Sequence, residues 1–366
     1  MMTPAELEQV YRGRRVLLTG HTGFKGGWLS LWLGELGARV TGVSLAPPTT
    51  PNLFEAGRVR ERLTHVEADI RDLERMRAVW RECRPEIVFH LAAQSLVRES
   101  YADPLRTVQT NVLGTTHLLE LARTEARPAA MVLVTSDKCY ENREWVYPYR
   151  EDDPLGGSDL YSMSKAGAEL AASAYRRAFF PPERLAQHGV AVATARAGNV
   201  FGGGDWAADR LVPDCFRALL ERRPIVVRSP GAVRPWQHVL EPLSGYLLLG
   251  ARLFDGDAAA RARVCEAWNF GPAAANARPV RELVGAIVAA WGEGSWRAES
   301  SPDAPHEHTL LRLAIDKARA ELGWRPRWDL ETAVDHTVTW YKAFRAGDDM
   351  AEWCRLQIVE YGGLGR

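Results

Sequence analysis

The chain has 366 residues, 46% of them apolar, and its 46 basic and 46 acidic side chains leave no formal net charge. That size and composition suit one large domain or two interlocked ones. Balanced charge argues against a nucleic-acid partner, and the longest apolar stretches, broken by Glu35 or Arg252, fall well short of a membrane span.

The first predicted strand, Val16–Thr19, runs into Gly20-His21-Thr22-Gly23-Phe24-Lys25-Gly26 and then a helix over Trp28–Leu36. Glycines at this spacing make a tight bend, let backbone N–H groups approach phosphates and let the helix pack on the strand. The turn therefore marks the pyrophosphate seat of a dinucleotide, with Gly20, Thr22, Gly23, Phe24, Lys25 and Gly26 as candidate contacts at the helix's positive end.

Further strands follow at Arg39–Ser44, Leu63–Glu67, Ile87–Leu91, Met131–Thr135 and Ala191–Arg196, separated by helices that include Leu73–Arg84, Val112–Glu125 and Tyr161–Phe180. This alternation predicts an α/β fold, a Rossmann-type doubly wound parallel sheet, with ligands at the carboxyl ends of the strands. Asp69, Ile70, Leu91, Ala92, Ala93 and Ser136 all fall there. The acidic residue that usually holds the adenosine ribose is missing, since the second strand ends Val43-Ser44-Leu45; Ser44 is a weaker substitute. No arginine follows to welcome a 2′-phosphate, so the expected cofactor is NAD rather than NADP.

Beyond Gly198 the chain turns rich in Gly, Pro and Trp. We expect a dinucleotide domain over residues 1–197, with a returning segment near 235–270, and a smaller mixed α/β substrate domain over 198–366. The substrate belongs in the cleft between them.

Five scattered cysteines without a C-x-x-C pair predict free thiols, and with no basic, apolar leader at the start the expected compartment is the cytoplasm. Cys139 is expected to pack rather than react, since no His partner is suitably spaced. No metal is expected; His306-Glu307-His308 lacks a third ligand, which leaves His306 as a candidate substrate contact.

Tyr161 and Lys165, in Tyr-x-x-x-Lys spacing, share one helix face. Beside an ammonium and a nicotinamide cation, the phenol of Tyr161 is expected to titrate toward neutrality and remove an alcohol proton, with Ser136 bonded to the same substrate oxygen and Lys165 holding the ribose.

These features resemble the extended short-chain dehydrogenases that act on nucleotide sugars. The resemblance rests on the glycine turn, His90-Leu91-Ala92-Ala93-Gln94, Thr135-Ser136-Asp137-Lys138, Tyr161 with Lys165, Gly198-Asn199-Val200-Phe201-Gly202 and Arg234-Pro235-Trp236-Gln237-His238, and near the end on Asp316-Lys317-Ala318 with Leu322-Gly323-Trp324. The Gly-His-Thr-Gly-Phe-Lys-Gly turn and the Ser-Asp-Lys tract point within that family to its CDP-glucose branch. The resemblance implies a redox-neutral dehydration in deoxysugar biosynthesis, in which carbon 4 is oxidised, water leaves across carbons 5 and 6, and hydride returns to carbon 6.

It also implies residue roles. Asp137 matches the family's acid, and Lys138 stands where dTDP-glucose relatives carry Glu, either as a base or as a cation beside an enolate. Gln94, Asn199, Arg210 and Arg234 match substrate contacts. Asn111 matches an asparagine near the site, or is a helix N-cap. A homodimer or homotetramer formed through two helices of each subunit is implied as well. A 4-epimerase or 4-ketoreductase of the same fold, or a non-catalytic dinucleotide sensor, are the alternatives.

Overall fold

The computed structural model describes residues 2–299 and 310–364. Its centre is a seven-stranded, all-parallel sheet. The strands are β1 (Arg15–Thr19), β2 (Arg39–Ser44), β3 (Thr64–Glu67), β4 (Ile87–His90), β5 (Ala130–Val134), β6 (Ala191–Arg196) and β7 (Ala267–Asn269), in the order β7-β6-β5-β4-β1-β2-β3. The order reverses between β1 and β4, which opens a crevice at their carboxyl ends.

Strand β5, Ala-Met-Val-Leu-Val, is buried at all five positions, as a parallel strand covered on both faces must be. Successive side chains point to opposite faces, and the core divides accordingly. Val16, Leu18, Phe89, Val132 and Ala193 join one apolar cluster, whereas Leu17, Val88, Met131, Leu133 and Val192 join the other.

Four helices bear on the site. Helix α1 (Phe24–Glu35) follows the glycine turn. Helix α2 (Leu73–Cys83) is capped by the Asp72 side chain on Arg75 N and packs in the second cluster with α3 (Gly114–Thr124). Helix α4 (Leu160–Ala178) is started by Asp159, whose Oδ1 accepts from Ser162 N at 2.9 Å.

The expected strands and helices fall within a few residues of those observed, and two elements go beyond them. Strand β7 pairs Ala267 with Thr194 at the edge of the sheet; three residues carry no readable periodicity. Helix α5 (Leu240–Phe254) is buried on nearly every side and lies on β4, β5 and β6 in the first cluster. After β6 the chain forms three small strand pairs, Val200–Phe201 with Gln237–His238, Val233–Pro235 with Ala277–Pro279, and Ile225–Val227 with Trp296–Ala298. Aromatic packing joins them to the C-terminal helices: Phe216 stacks on Tyr341 with ring centres 3.8 Å apart.

Candidate active site

Two of the three turn glycines are demanded by the chain itself. Gly20 has φ +84°, and a β-carbon there would lie 2.7 Å from Ala92 N, where the turn meets the exit of β4. A β-carbon at Gly26 would overlap the carbonyl of Gly20. At Gly23 the nearest atom to such a carbon is Gly20 O, 3.4 Å away, so the turn has room there. Gly23 caps α1 with no side-chain hydrogen bond, which leaves the first-turn N–H groups to meet an anion. These residues fit a dinucleotide pyrophosphate.

The neighbouring candidates bond largely within the protein. Thr22 donates its hydroxyl proton to Leu45 O at 2.9 Å, so in the 2.7 Å contact between Thr22 and Ser44 it is Ser44 that donates. Ser44 keeps acceptor capacity alone for a ribose hydroxyl. Asp69 accepts from Arg71 N and from its guanidinium, which holds the carboxyl below the usual carboxylate range. Ile70 is buried, and its carbonyl meets His117 Nδ1 at 3.0 Å. Leu91 N donates to Thr19 O and Ala92 N to Thr19 Oγ1, which fixes the Leu91-Ala92-Ala93 exit against the turn.

At the end of β5 the backbone folds into a short 3-10 turn, Asp137–Cys139, with Ser136 at its head. Ser136 Oγ accepts from Lys138 N at 3.2 Å and donates to Asp137 Oδ1 at 3.0 Å. Asp137 is buried and Lys138 half-buried. The Cys139 thiol is buried and pushed well above its ordinary range by that burial, which suits packing rather than nucleophilic chemistry.

Tyr161 and Lys165 are both buried on the first turns of α4. Taken together, the protein's own groups do not lower the Tyr161 pKa. Burial pushes it up to about 12, and the nearby Ser136 hydroxyl works only partly against that. Burial also lowers Lys165 to about 8. The second positive charge in the sequence argument belongs to the cofactor.

Lys25 extends from the turn toward this cluster. Burial, then the charge of Arg210, bring it down to about 8, with Asp137 acting in the opposite sense. Its Nζ lies 5.9 Å from the ring centre of Tyr246, whose buried hydroxyl has no hydrogen-bond partner among the described residues. Tyr246 carried no signal in the sequence, because it sits in the apolar run of α5.

Asn111 occurs in a π-helical turn, Gln109–Leu113, inside the helical stretch that ends at Thr124, so the N-cap alternative fails. Its Oδ1 accepts from Gln94 N, and its Nδ2 donates to Gln94 O and to Ser164 Oγ at 2.8 Å. The Gln94 side chain bonds Leu96 and Thr107. Both residues thus brace the loop after β4 against α4.

Asn199 takes a left-handed backbone, φ +47°, just after β6. Arg210 bonds Asp205 Oδ2 at 3.2 Å and Ser95 Oγ at 3.1 Å, and Arg234 lies in the Val233–Pro235 strand with Nη1 donating to Val233 O. His306 and His308 lie outside the described residues. Among the described residues no group of three His, Cys, Asp or Glu could hold a metal ion, and no helix is long and apolar enough to cross a membrane.

Glu169 and Arg196, a buried ion pair at 2.8 Å joined to Thr135 just after β5, were not legible as site residues in the sequence. The available signal was the position of Glu169, four residues after Lys165 and so on the same helix face.

Comparison with known proteins agrees with this geometry. A family model described as GDP-mannose 4,6 dehydratase matches residues 17–337. The chain is 49% identical to a CDP-glucose 4,6-dehydratase of Salmonella typhimurium, over 96% of this chain and 97% of that one. It is 30% identical to a dTDP-glucose 4,6-dehydratase of Streptomyces griseus, over 90% and 95% of the two chains. Among solved structures, DesIV, a dTDP-glucose 4,6-dehydratase from Streptomyces venezuelae with NAD and TYD bound, has a TM-score of 0.74 at 27% identity, covering 92% of this chain and 99% of that one.

Proposed function

From the premise that the chain belongs to the GDP-mannose 4,6 dehydratase family, we propose that it is an NAD-dependent hydro-lyase converting CDP-glucose to CDP-4-dehydro-6-deoxyglucose and water. The observation that carries this reading is Asp137, a carboxyl buried between Ser136 and the backbone of Gly198, in the electrostatic reach of Tyr161. Elimination of water needs an acid at the departing 6-hydroxyl in addition to Tyr161, whereas epimerisation and ketoreduction at carbon 4 eliminate no water and need no such second acid.

The chemistry that NAD would supply when bound is a hydride acceptor at carbon 4 of the sugar and a hydride donor at carbon 6. The uncapped first turn of α1, at Gly23, Phe24 and Lys25, would hold its pyrophosphate; Ser44 would accept from a ribose hydroxyl, and Asp69-Ile70 would border the adenine. Tyr161 takes the proton of the 4-hydroxyl, while Ser136 holds the same oxygen and Lys165 binds the ribose. Ketone formation at carbon 4 acidifies the proton on carbon 5. Asp137 then protonates the departing 6-hydroxyl, and Lys138 either removes the carbon-5 proton or steadies the enolate as a cation.

Arg210 and Arg234 supply forked donors for the diphosphate, with Asn199, Gln94, Asn111 and His306 as the remaining substrate candidates. The division of labour is a dinucleotide domain over 1–197, with the 235–270 segment returning to the sheet, and a substrate domain over 198–366. A homodimer, alone or paired, is supported by apolar side chains left exposed on or beside α3 and α4: Leu113, Met163 and Leu170, the last 57% exposed. Five free thiols suit a reducing cytoplasm.

The test is incubation of the purified protein with NAD and, separately, CDP-, dTDP-, UDP- and GDP-hexoses, read by the alkali-induced absorbance of a 4-keto-6-deoxy product. Product from CDP-glucose alone is the expected result. No keto product from any sugar, or a simple epimer, overturns the proposal.

A further inference from the structure

Glu169 and Arg196 are each 3% exposed, and neither touches the nucleotide-sugar chemistry described above. Their bonds nevertheless reach the segments around Ser136–Lys138 and Gly198 from the helix of Tyr161 and Lys165. Thr135, immediately before Ser136, donates its hydroxyl to Glu169 Oε1. Thr194 Oγ1 and Arg196 Nη2 donate to Glu169 Oε2 at 2.7 and 2.8 Å. Both come from β6, which leads into the Gly198 backbone that faces the Asp137 carboxyl.

Arg196 then uses Nη1 on Tyr140 Oη at 2.7 Å and on Glu151 O at 2.8 Å. Tyr140 is the residue that closes the Asp137–Cys139 turn, and its hydroxyl proton goes to Asn269 Oδ1 on β7 at 2.8 Å. One carboxylate thus ties the helix of Tyr161 and Lys165 to the strand end of Ser136, to the strand leading to Gly198, and through Arg196 to the exit of the turn that holds Asp137 and Lys138.

A buried ion pair is a costly means of holding a core together, and well-packed apolar side chains commonly do as well. What a pair adds is fixed geometry. We propose, on the reading of the reaction given above, that Glu169 is a positioning residue: through Thr135, Thr194 and Arg196 it sets the Ser136–Lys138 turn at its working distance from Tyr161 and Lys165.

The charge of Glu169 also bears on Lys165, one turn away. Burial brings Lys165 to about 8, and Glu169, with the Cys139 thiol, acts to raise it. The charged and titratable groups around Glu169 are Arg196 and Tyr140 across the interface, Cys139 on the turn, and Lys165 and Arg176 on its own helix. Removing the carboxylate takes away support for the ammonium, so the Lys165 titration moves to lower pH.

Glu169→Gln keeps the shape and loses the charge. With CDP-glucose and NAD, kcat is expected to fall about 100-fold with KM little changed, as for a displacement of about 1 Å in the catalytic groups. The alkaline limb of the kcat profile is expected to shift to lower pH. Wild-type kcat with an unmoved limb overturns the proposal.

If the lone buried Arg196 destabilises that variant, Glu169→Gln with Arg196→Gln leaves no unpaired charge. It is expected to fold and remain slow, and full activity in it overturns the proposal. NAD binding, followed by tryptophan fluorescence between about pH 7 and 9, needs no sugar. A binding midpoint at lower pH in Glu169→Gln than in wild type supports the assignment, and coincident midpoints overturn it. Wild-type protein inactive on all four sugars sinks the dehydratase reading, while this binding comparison still decides the role of Glu169.

Discussion

The backbone of Gly198 lies against the carboxyl group of Asp137, so closely that a β-carbon at position 198 would overlap both carboxylate oxygens. Gly198 is therefore the wall that aims Asp137, although it offers no functional group of its own. Gly198→Ala is expected to move the carboxyl and cost about 1–3 kcal/mol in stability through overpacking. Dehydration should slow by about 100-fold or more, the range for loss of a general acid. Oxidation at carbon 4 should persist, visible as reduced cofactor that accumulates on mixing with CDP-glucose. A Gly198→Ala protein that dehydrates at the wild-type rate would remove Asp137 from the mechanism.

Lys138 admits two roles that one pair of variants separates. Lys138→Ala is expected to spare the oxidation and block elimination, so reduced cofactor again builds up. Lys138→Arg keeps the cation but cannot act as a base, because a guanidinium does not deprotonate in a protein. Recovery of dehydration in Lys138→Arg, measured by keto-product formation, identifies electrostatic stabilisation; loss equal to that of Lys138→Ala identifies the base. Normal dehydration by Lys138→Ala contradicts both roles.

How much of this site could be read in the sequence follows from how local each signal is. The glycine turn, the Ser-Asp-Lys tract and the Tyr161–Lys165 pair are short-range patterns, and each sits at the end of a strand or the start of a helix where alternation placed it. Strand β5 was legible because five apolar residues, buried throughout, run from just after Pro128-Ala129 to Thr135-Ser136. Strand β7, three residues long, had no such frame. Glu169 and Arg196 are 27 residues apart and meet only after β6 has been laid beside α4. The titration of Tyr161 is only partly legible for a similar reason: nearby charges can be listed from a sequence, but the burial that pushes the phenol up belongs to the fold.

Alkaline pH should inactivate the enzyme through Lys165. Its pKa is lowered by burial to about 8, so the ammonium is complete well below that pH and lost above it. Activity limited by this charge is flat at neutral pH and falls above about 8. Lys25 is lowered to about 8 as well, first by burial, so Lys25→Met serves as the control. Lys165→Arg, which keeps its charge, should carry a lower rate with no alkaline limb, whereas Lys25→Met should retain the limb. A wild-type profile still level at about pH 10 contradicts the assignment.

Acid pH should destabilise the fold through three buried histidines. His90 contacts Thr19 Oγ1 at 2.7 Å through Nδ1 and Thr115 Oγ1 at 3.0 Å through Nε2. Thr115 spends its own proton on Asn111 O, so Nε2 is the donor and Nδ1 accepts from Thr19. The ring is held neutral, and burial lowers its pKa to about 3. Burial likewise lowers His21 to about 4, with His65 adding repulsion, and drives His238 well below its ordinary value. An unfolded chain protonates all three near pH 6.5, whereas the folded one does not, so each contributes stability that is present above about 6.5 and lost as pH falls toward the folded values. Between about pH 6 and 5 the unfolding free energy should drop by about 1.4 kcal/mol per pH unit for each histidine. Denaturant titrations at a series of pH values measure that slope, and a free energy constant over this range would show that the three rings take up protons without unfolding.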